Sequence, residues 1–257
     1  MKTKTLHQQF YLAAIAVMLS CAFNNASAQG AYVTAGLGYG LPSPTTVIGT
    51  TTSTTSAENI LGSYGKGINF GVGVGYMFTE NIGAEIGFSY LSGAEYEYTI
   101  LDSAFLQTGH TSGKIMRLMP ALKVTAGKDN FLYAKFGLVL GFGGEIKSDL
   151  AGSFGGFTIS QNATSEGGSS MGWVAALGAD FPINDMISIY AELNSISQTW
   201  APDKSTNIVT LGSLTTTVNT TYDDQVSATS TNASLKEYLP FSSFGINAGV
   251  KIAFGGQ

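Results

Sequence analysis

Few side chains in this 257-residue chain are equipped for chemistry. There are 2 histidines, His7 and His110, and 1 cysteine, Cys21. His110 lies near Glu95, Glu97, Asp102, Ser103 and Ser112, the residue types of a hydrolase or acyltransferase site. No recognisable nucleophile motif accompanies them, and a solvated loop histidine is the plainer reading. One histidine among scattered acids is equally unspecific for a metal. The strings Gly71-Val72-Gly73-Val74-Gly75 and Gly141-Phe142-Gly143-Gly144 superficially look like nucleotide loops. Neither opens a helix, and no Gly-Lys-Ser/Thr follows. The sequence therefore assigns no catalytic residue, no cofactor site and no metal site.

What remains is a set of seven charges, Glu85, Arg117, Lys123, Lys135, Asp180, Glu192 and Lys251. Their meaning depends on the elements that carry them. Segments 31–40, 68–78, 82–90, 116–125, 132–142, 171–181, 187–194 and 244–254 alternate with period two, the signature of strands. Their length is close to the roughly 9 to 11 residues that a tilted strand needs to cross a bilayer. One phase is apolar throughout, as in Ile68, Phe70, Val72, Val74, Tyr76 and Phe78, or Leu132, Ala134, Phe136, Leu138, Leu140 and Phe142. It contains no charge and no glycine. The other phase contains glycines such as Gly36, Gly73, Gly137 and Gly178, and all seven charges. A soluble sandwich or lipocalin-type barrel turns its bulky apolar phase inward. A small barrel has an interior just wide enough for filling side chains, so glycines and a few long polar groups suit it better. The bulky phase suits lipid, which is the inverted arrangement of an outer-membrane barrel.

On this reading the seven charges form a network inside the barrel. Three acids face four bases, and burial of an unpaired charge costs several kcal/mol, so pairing is expected. The expected neighbours are Lys135 with Asp180, Glu85 with Lys123, and Glu192 with Lys251. Such a network orders and plugs the lumen, or else sets the selectivity of a narrow conduit. Tyr39, Tyr76, Phe78, Tyr90, Trp173, Phe181 and Phe254, near strand ends, read as aromatic girdles at the interfaces. Pro120 falls inside a strand, where it deletes a ladder hydrogen bond, so a bulge or shifted register is expected there.

Composition agrees. Charged residues make up 11% of the chain, against about 25% in an average soluble domain. The N-terminus carries Lys2, Lys4 and His7, an apolar run over 10–19, and Ala26-Ser27-Ala28, the three parts of a secretory signal peptide. Residues 1–28 are therefore expected to be removed, leaving a barrel domain over 29–257. Met18-Leu19-Ser20-Cys21 fits a bacterial lipobox poorly, and without Cys21 the remaining chain has no disulfide. Removing Lys2 and Lys4 leaves 10 basic against 17 acidic residues, a net charge of −7, which argues against nucleic acid as a partner.

Short connections at 79–81, 126–131 and 182–186 alternate with long ones at 41–67, 91–115, 143–170 and 195–243, as periplasmic turns alternate with extracellular loops. The long loops, including the low-complexity run 50–56, are expected to be mobile and solvated. Segment 207–218 forms either a hairpin above the membrane or an extra strand pair, which would make ten. The fold expected is all-β, an eight-stranded antiparallel up-and-down transmembrane β-barrel. The segment GINFGVGVGYMFTENIGAEIGFSYLS at 67–92 and the closing strand at 244–254 resemble the hairpins and last strand of the small outer-membrane β-barrel families: OmpA-like, OmpX-like and opacity-type porin-like. The chain departs from them where Phe254 is followed by Gly255-Gly256-Gln257 instead of ending on an aromatic, and it leaves no room for a periplasmic domain. The resemblance implies a monomer of the outer membrane, in contact with its lipid and lipopolysaccharide and inserted by the barrel-assembly machinery. It implies a structural or surface-interaction role through the extracellular loops. A narrow porin for small solutes and an enzyme that modifies lipid A are the alternatives.

Overall fold

The computed structural model describes residues 30–43, 46–53, 55–102, 105–127, 131–154, 157–227 and 230–254. The segment read as a signal peptide, Cys21, Ser103 and the three residues after Phe254 lie outside them. The strands, in chain order, begin with β1 (Ala31–Pro42), β2 (Thr46–Thr52), β3 (Ala57–Gly62), β4 (Gly67–Met77) and β5 (Ile82–Gly93). There follow β6 (Tyr96–Asp102), β7 (Phe105–Ala126), β8 (Leu132–Phe154), β9 (Phe157–Pro182) and β10 (Ile187–Trp200). The last are β11 (Lys204–Leu211), β12 (Leu214–Asp223), β13 (Ala233–Leu235), β14 (Leu239–Pro240) and β15 (Ser243–Phe254). No helix occurs among the described residues.

Eight of these strands close a ring: β1, β4, β5, β7, β8, β9, β10 and β15, each antiparallel to the next, with β15 returning to β1. Closure leaves no unpaired edge at membrane depth, which a bilayer requires because it offers no water to backbone amides. The phases face as the alternation dictates. Leu37, Phe70, Val72, Val74, Leu122, Phe136, Trp173, Leu177, Ile246 and Val250 all lie exposed on the outside. Their intervening neighbours are buried, including Arg117, Lys123, Glu85 and Asp180. Tyr39, Tyr90, Trp173, Phe181 and Phe254 belong to the exposed band, where Trp173 stacks on Phe136 at 5.7 Å.

Two sequence expectations change, and one open alternative is resolved. At Pro120 the register with β5 is intact, with Ile86 opposite. On the other side the β7–β8 pairing lapses at Met119 and Pro120, then resumes unshifted at Ala121–Gly137, as a missing N–H predicts. The register shift falls instead between Lys114 and Met116. There β8 carries an extra residue and Gly143 adopts φ 60°, the left-handed conformation of a glycine bulge. The long connections are also not plain loops. β7, β8 and β9 have 22, 23 and 26 residues, so they run far past the membrane as a continuous antiparallel wall. Finally, 207–218 is part of a hairpin, β11–β12, that pairs with β9 at Ile159–Glu166, above the barrel. The barrel has eight strands, not ten.

Candidate functional site: the barrel lumen

The lower lumen, at the end with the short turns, holds six of the seven predicted charges. Lys135 Nζ lies 3.0 Å from Glu85 Oε1 and 2.5 Å from Glu192 Oε2. Asp180 Oδ2 receives Lys123 at 3.2 Å and Lys251 at 2.6 Å. None of the three pairings expected from sequence forms. Those joined hydrogen-bonded neighbour strands, whereas every observed pair skips a strand: β8 to β5, β8 to β10, β7 to β9, and β15 to β9. The cause is curvature. In register Lys135 faces Ala176, Glu85 faces Ala121 and Glu192 faces Asn247, so the expected partners sit offset along the neighbouring strand, while on the concave inner surface side chains from next-but-one strands converge. Lys123 and Lys135 are themselves register partners, so both turn away to acids further round the ring.

Tyrosines complete this layer. Tyr32 donates to Glu85 Oε2 at 3.0 Å and Tyr133 donates to Glu192 Oε2 at 3.1 Å, again across one intervening strand. The Lys123 ammonium sits 4.0 Å from the Tyr133 ring centroid and 5.0 Å from that of Tyr32, within cation–π range. Each inward tyrosine is paired in register with a glycine: Tyr32 with Gly75, Tyr133 with Gly178, and Tyr190 with Gly249. A Cβ at Gly178 would meet Tyr133 Cζ at 2.3 Å, and one at Gly75 would meet Tyr32 Cζ at 2.1 Å. At Gly75 and Gly178 the tyrosine ring opposite leaves no room for a Cβ, which is why glycine stands there.

The upper lumen is built differently. Arg117 is 0% exposed, and no ion pair is formed by it among the described residues. Its Nε donates to Gln198 Oε1 at 2.8 Å, Nη1 to Asn69 Oδ1 at 3.2 Å and Nη2 to the Phe241 carbonyl at 3.1 Å. Above it Trp200 and Phe241, both 0% exposed, pack with Tyr64, Leu91, Ile115 and Ile146. The Trp200 and Phe241 rings meet edge-on at 5.6 Å. Two loop segments are stitched over this cluster: Tyr64 N–H donates to the Pro240 carbonyl at 2.9 Å, Phe241 N–H to the Gln198 carbonyl at 2.9 Å, and Ser63 Oγ to the Ser242 carbonyl. Below this apolar plug a cavity of about 90 Å³ reaches into the charged floor, lined in part by Asn69, Ser89, Asn194, Glu85, Asp180 and Glu192.

The sequence did not single out Tyr32, Tyr133 and Tyr190, although they occupy the polar phase of predicted strands and could have been found there. Trp200 continues the inward parity of Ile196 and Gln198 beyond the predicted end of that strand. Tyr64 and Phe241 sit outside any periodic run, so no signal marks them. His110 lies on the extramembrane part of β7, with Glu97 and Asp149 as register partners on either side. Among the described residues no cluster of three or more metal-ligating side chains forms.

The chain matches the family described as outer membrane protein beta-barrel domain over residues 10–235. No curated protein matches it. Among solved structures it is similar to Neisserial surface protein A (NspA), at 12% identity and a TM-score of 0.39, covering 89% of this chain and 100% of that one. It is also similar to CarO2 of Acinetobacter baumannii (8% identity, TM-score 0.35, 87% and 99% coverage). A third is the outer membrane protein AlkL in lipid bilayers (12% identity, TM-score 0.36, 90% and 93% coverage). With a closed eight-stranded ring, an apolar outer band and a family match across most of its length, the chain belongs to the outer membrane protein beta-barrel domain family and is an outer-membrane β-barrel.

Proposed function

We propose that this protein works through its extracellular β-structure, with the barrel as a sealed anchor, and that its role is structural or one of surface interaction without catalysis. The observation that carries this is a contrast in construction. The lumen is filled at both levels, by ion pairs below and by Trp200 and Phe241 above. The wall outside is instead extended beyond need. β9 continues 14 residues before Met171, about 45 Å of strand, and is flanked by β8 and by the β11–β12 hairpin. Ordering that much backbone costs about 1–2 kcal/mol per residue, which an anchor alone does not require.

Excision of hairpin 204–223 tests the reading. Barrel insertion is expected to persist, while retention of bacteria on a polystyrene surface or a mammalian cell layer falls. Unchanged retention overturns it. The narrow-porin reading draws on one observation: Tyr64 and Phe241 come from connections rather than from the ring. Planar-bilayer recording of wild type and Phe241→Ala separates the two. A closed wild type favours the anchor, and steady conductance of the wild type favours the porin.

A further inference from the structure

Above the membrane the sheet no longer closes. Its strands run in the order β3, β2, β6, β7, β8, β9, β11, β12, β13, so it ends in two edges, β3 on one side and β12 with the short β13 on the other. An edge strand offers unpaired N–H and C=O groups to any other strand, and proteins blunt such edges with charge, proline or bulges. The β3 edge is blunted: Glu58 stands on it, and the ladder behind it is interrupted between Val47 and Gly49. The β12 edge is not. β13 covers it only at Thr221, Tyr222 and Asp223. The open stretch 214–220 (LTTTVNT) has no charge and no proline, and its ladder with β11 runs without a break.

The hydrogen bonds fix which groups are unpaired. Thr221 N–H points away from β11, to the Asn232 carbonyl at 2.9 Å, while Tyr222 N–H points back to the Asp203 carbonyl at 2.8 Å, just before β11. Successive residues of a strand turn their backbone groups to opposite sides. Thr215, Thr217 and Asn219 therefore turn N–H and C=O to the open edge, where no described residue receives them.

This edge is complementary to itself. Two β12 strands set antiparallel about Thr217, the midpoint of the open stretch, bring Thr217 against Thr217 and Thr215 against Asn219 as hydrogen-bonded pairs, with Val218 against Thr216 between them. No like charges meet, and Thr–Thr pairs across strands are favourable. The two-fold axis relating such strands is perpendicular to the wall, hence parallel to the membrane, and it inverts up and down. Copies side by side in one membrane share one direction and cannot pair this way, whereas copies in two facing membranes can. Thr217 stands level with Ile208 and Asn162, nine residues or about 30 Å of strand above Met171. β9 begins only five residues higher, at Phe157, so neither wall reaches the opposite membrane when the hairpins meet.

We propose that β12 is a homotypic adhesion edge, pairing antiparallel about Thr217 with β12 of a second copy in a facing membrane. This pairing rests on the surface role proposed above and names its partner. One short ladder is weak, but many copies on two membranes act together.

Full-length protein in phosphatidylcholine vesicles, its wall facing outward, tests the pairing in two vesicle populations carrying different dyes. Mixed clusters should form when both populations carry the protein and not when only one does. Thr217→Pro removes an N–H that no other strand of the molecule uses, so the hairpin stays and clustering is lost. Thr217→Lys and Thr217→Asp each set like charges opposite one another. Each should cluster poorly alone, and a mixture of the two should cluster as wild type does. The proposal is overturned if wild-type vesicles do not cluster, if they cluster equally with protein-free vesicles, if Thr217→Pro changes nothing, or if the Lys and Asp variants do not rescue one another. Vesicles that fail to cluster, with hairpin excision still lowering retention on polystyrene, would leave the surface role standing and remove only its homotypic partner.

Discussion

Two ion pairs in this protein have the same length and opposite surroundings. Lys135 meets Glu85 at 3.0 Å inside the barrel, where the side chains are 15% and 9% exposed. Lys114 meets Glu145 at 3.0 Å on the wall above it, at 42% and 19%. Distance does not distinguish them, but the solvent around them does. In the lumen each charge has lost most of its water, so the pair survives only because every group is used: Lys135 serves two carboxylates, and each carboxylate also accepts from a tyrosine. On the wall, water competes with the pair and screens it. The inner network fixes the cross-section of the barrel by bracing next-but-one strands, whereas the outer pair links two strands already joined by their ladder.

The sharpest way to break the comparison is to remove one lysine from each region. Lys135→Met leaves Glu85 and Glu192 buried without their shared cation and is expected to cost about 3–5 kcal/mol. Lys114→Met should cost about 0–1 kcal/mol, because its pair is solvated. Urea unfolding in detergent or lipid reports both. Equal losses would show that burial does not govern the worth of these pairs.

Which parts of this arrangement were legible in the sequence follows from what periodicity encodes. Alternation reports the face of a strand, so the outward placement of Val72, Val74 and Leu177 and the inward placement of Glu85 and Lys135 could be read directly. It carries no information on curvature, so the partners of those charges, which depend on which strands converge across the lumen, could not. The plug was invisible for a different reason. Phe241 and Tyr64 lie on short irregular stretches that reach the lumen only because other loops hold them there. The extended wall was hidden by composition: β9 from Phe157 to Ser170 is rich in Ser, Thr and Gly, and has no continuous apolar face to reveal it.

A smaller effect tests the fit of tyrosine against glycine in the charged floor. In Gly178→Ala the new methyl meets Tyr133 Cζ at 2.3 Å and its hydroxyl oxygen at 2.4 Å. A free tyrosine would swing aside, but this one is bonded to Glu192 and lies under Lys123. Overpacking of this kind costs about 1–3 kcal/mol. Adding Tyr133→Phe, which frees the ring from Glu192, should recover part of the loss, and a double-mutant cycle measures the coupling. Strict additivity would mean that the ring is not held by the ion network.

The smallest effect should appear on the wall, and only in acid. Partial burial pushes the Glu145 carboxyl up, but the hydrogen bond and charge of Lys114 and those of Lys147 outweigh it and hold it below the ordinary carboxylate range. A carboxyl lowered in the folded state contributes stability at and above its unfolded pKa, about 4.3 for glutamate. That contribution is lost as the pH falls through the folded value, when Glu145 is protonated and both lysines lose their partner. Amide protection in β7 and β8 around Lys114 and Glu145, corrected for intrinsic exchange rates, should therefore fall modestly from pH 6 to pH 3.5. In Glu145→Gln it should be lower at pH 6 and change little on acidification. A wild-type decrease reproduced in Glu145→Gln would move the acid sensitivity of the wall to another carboxylate, leaving the Lys114–Glu145 pair with no measurable role.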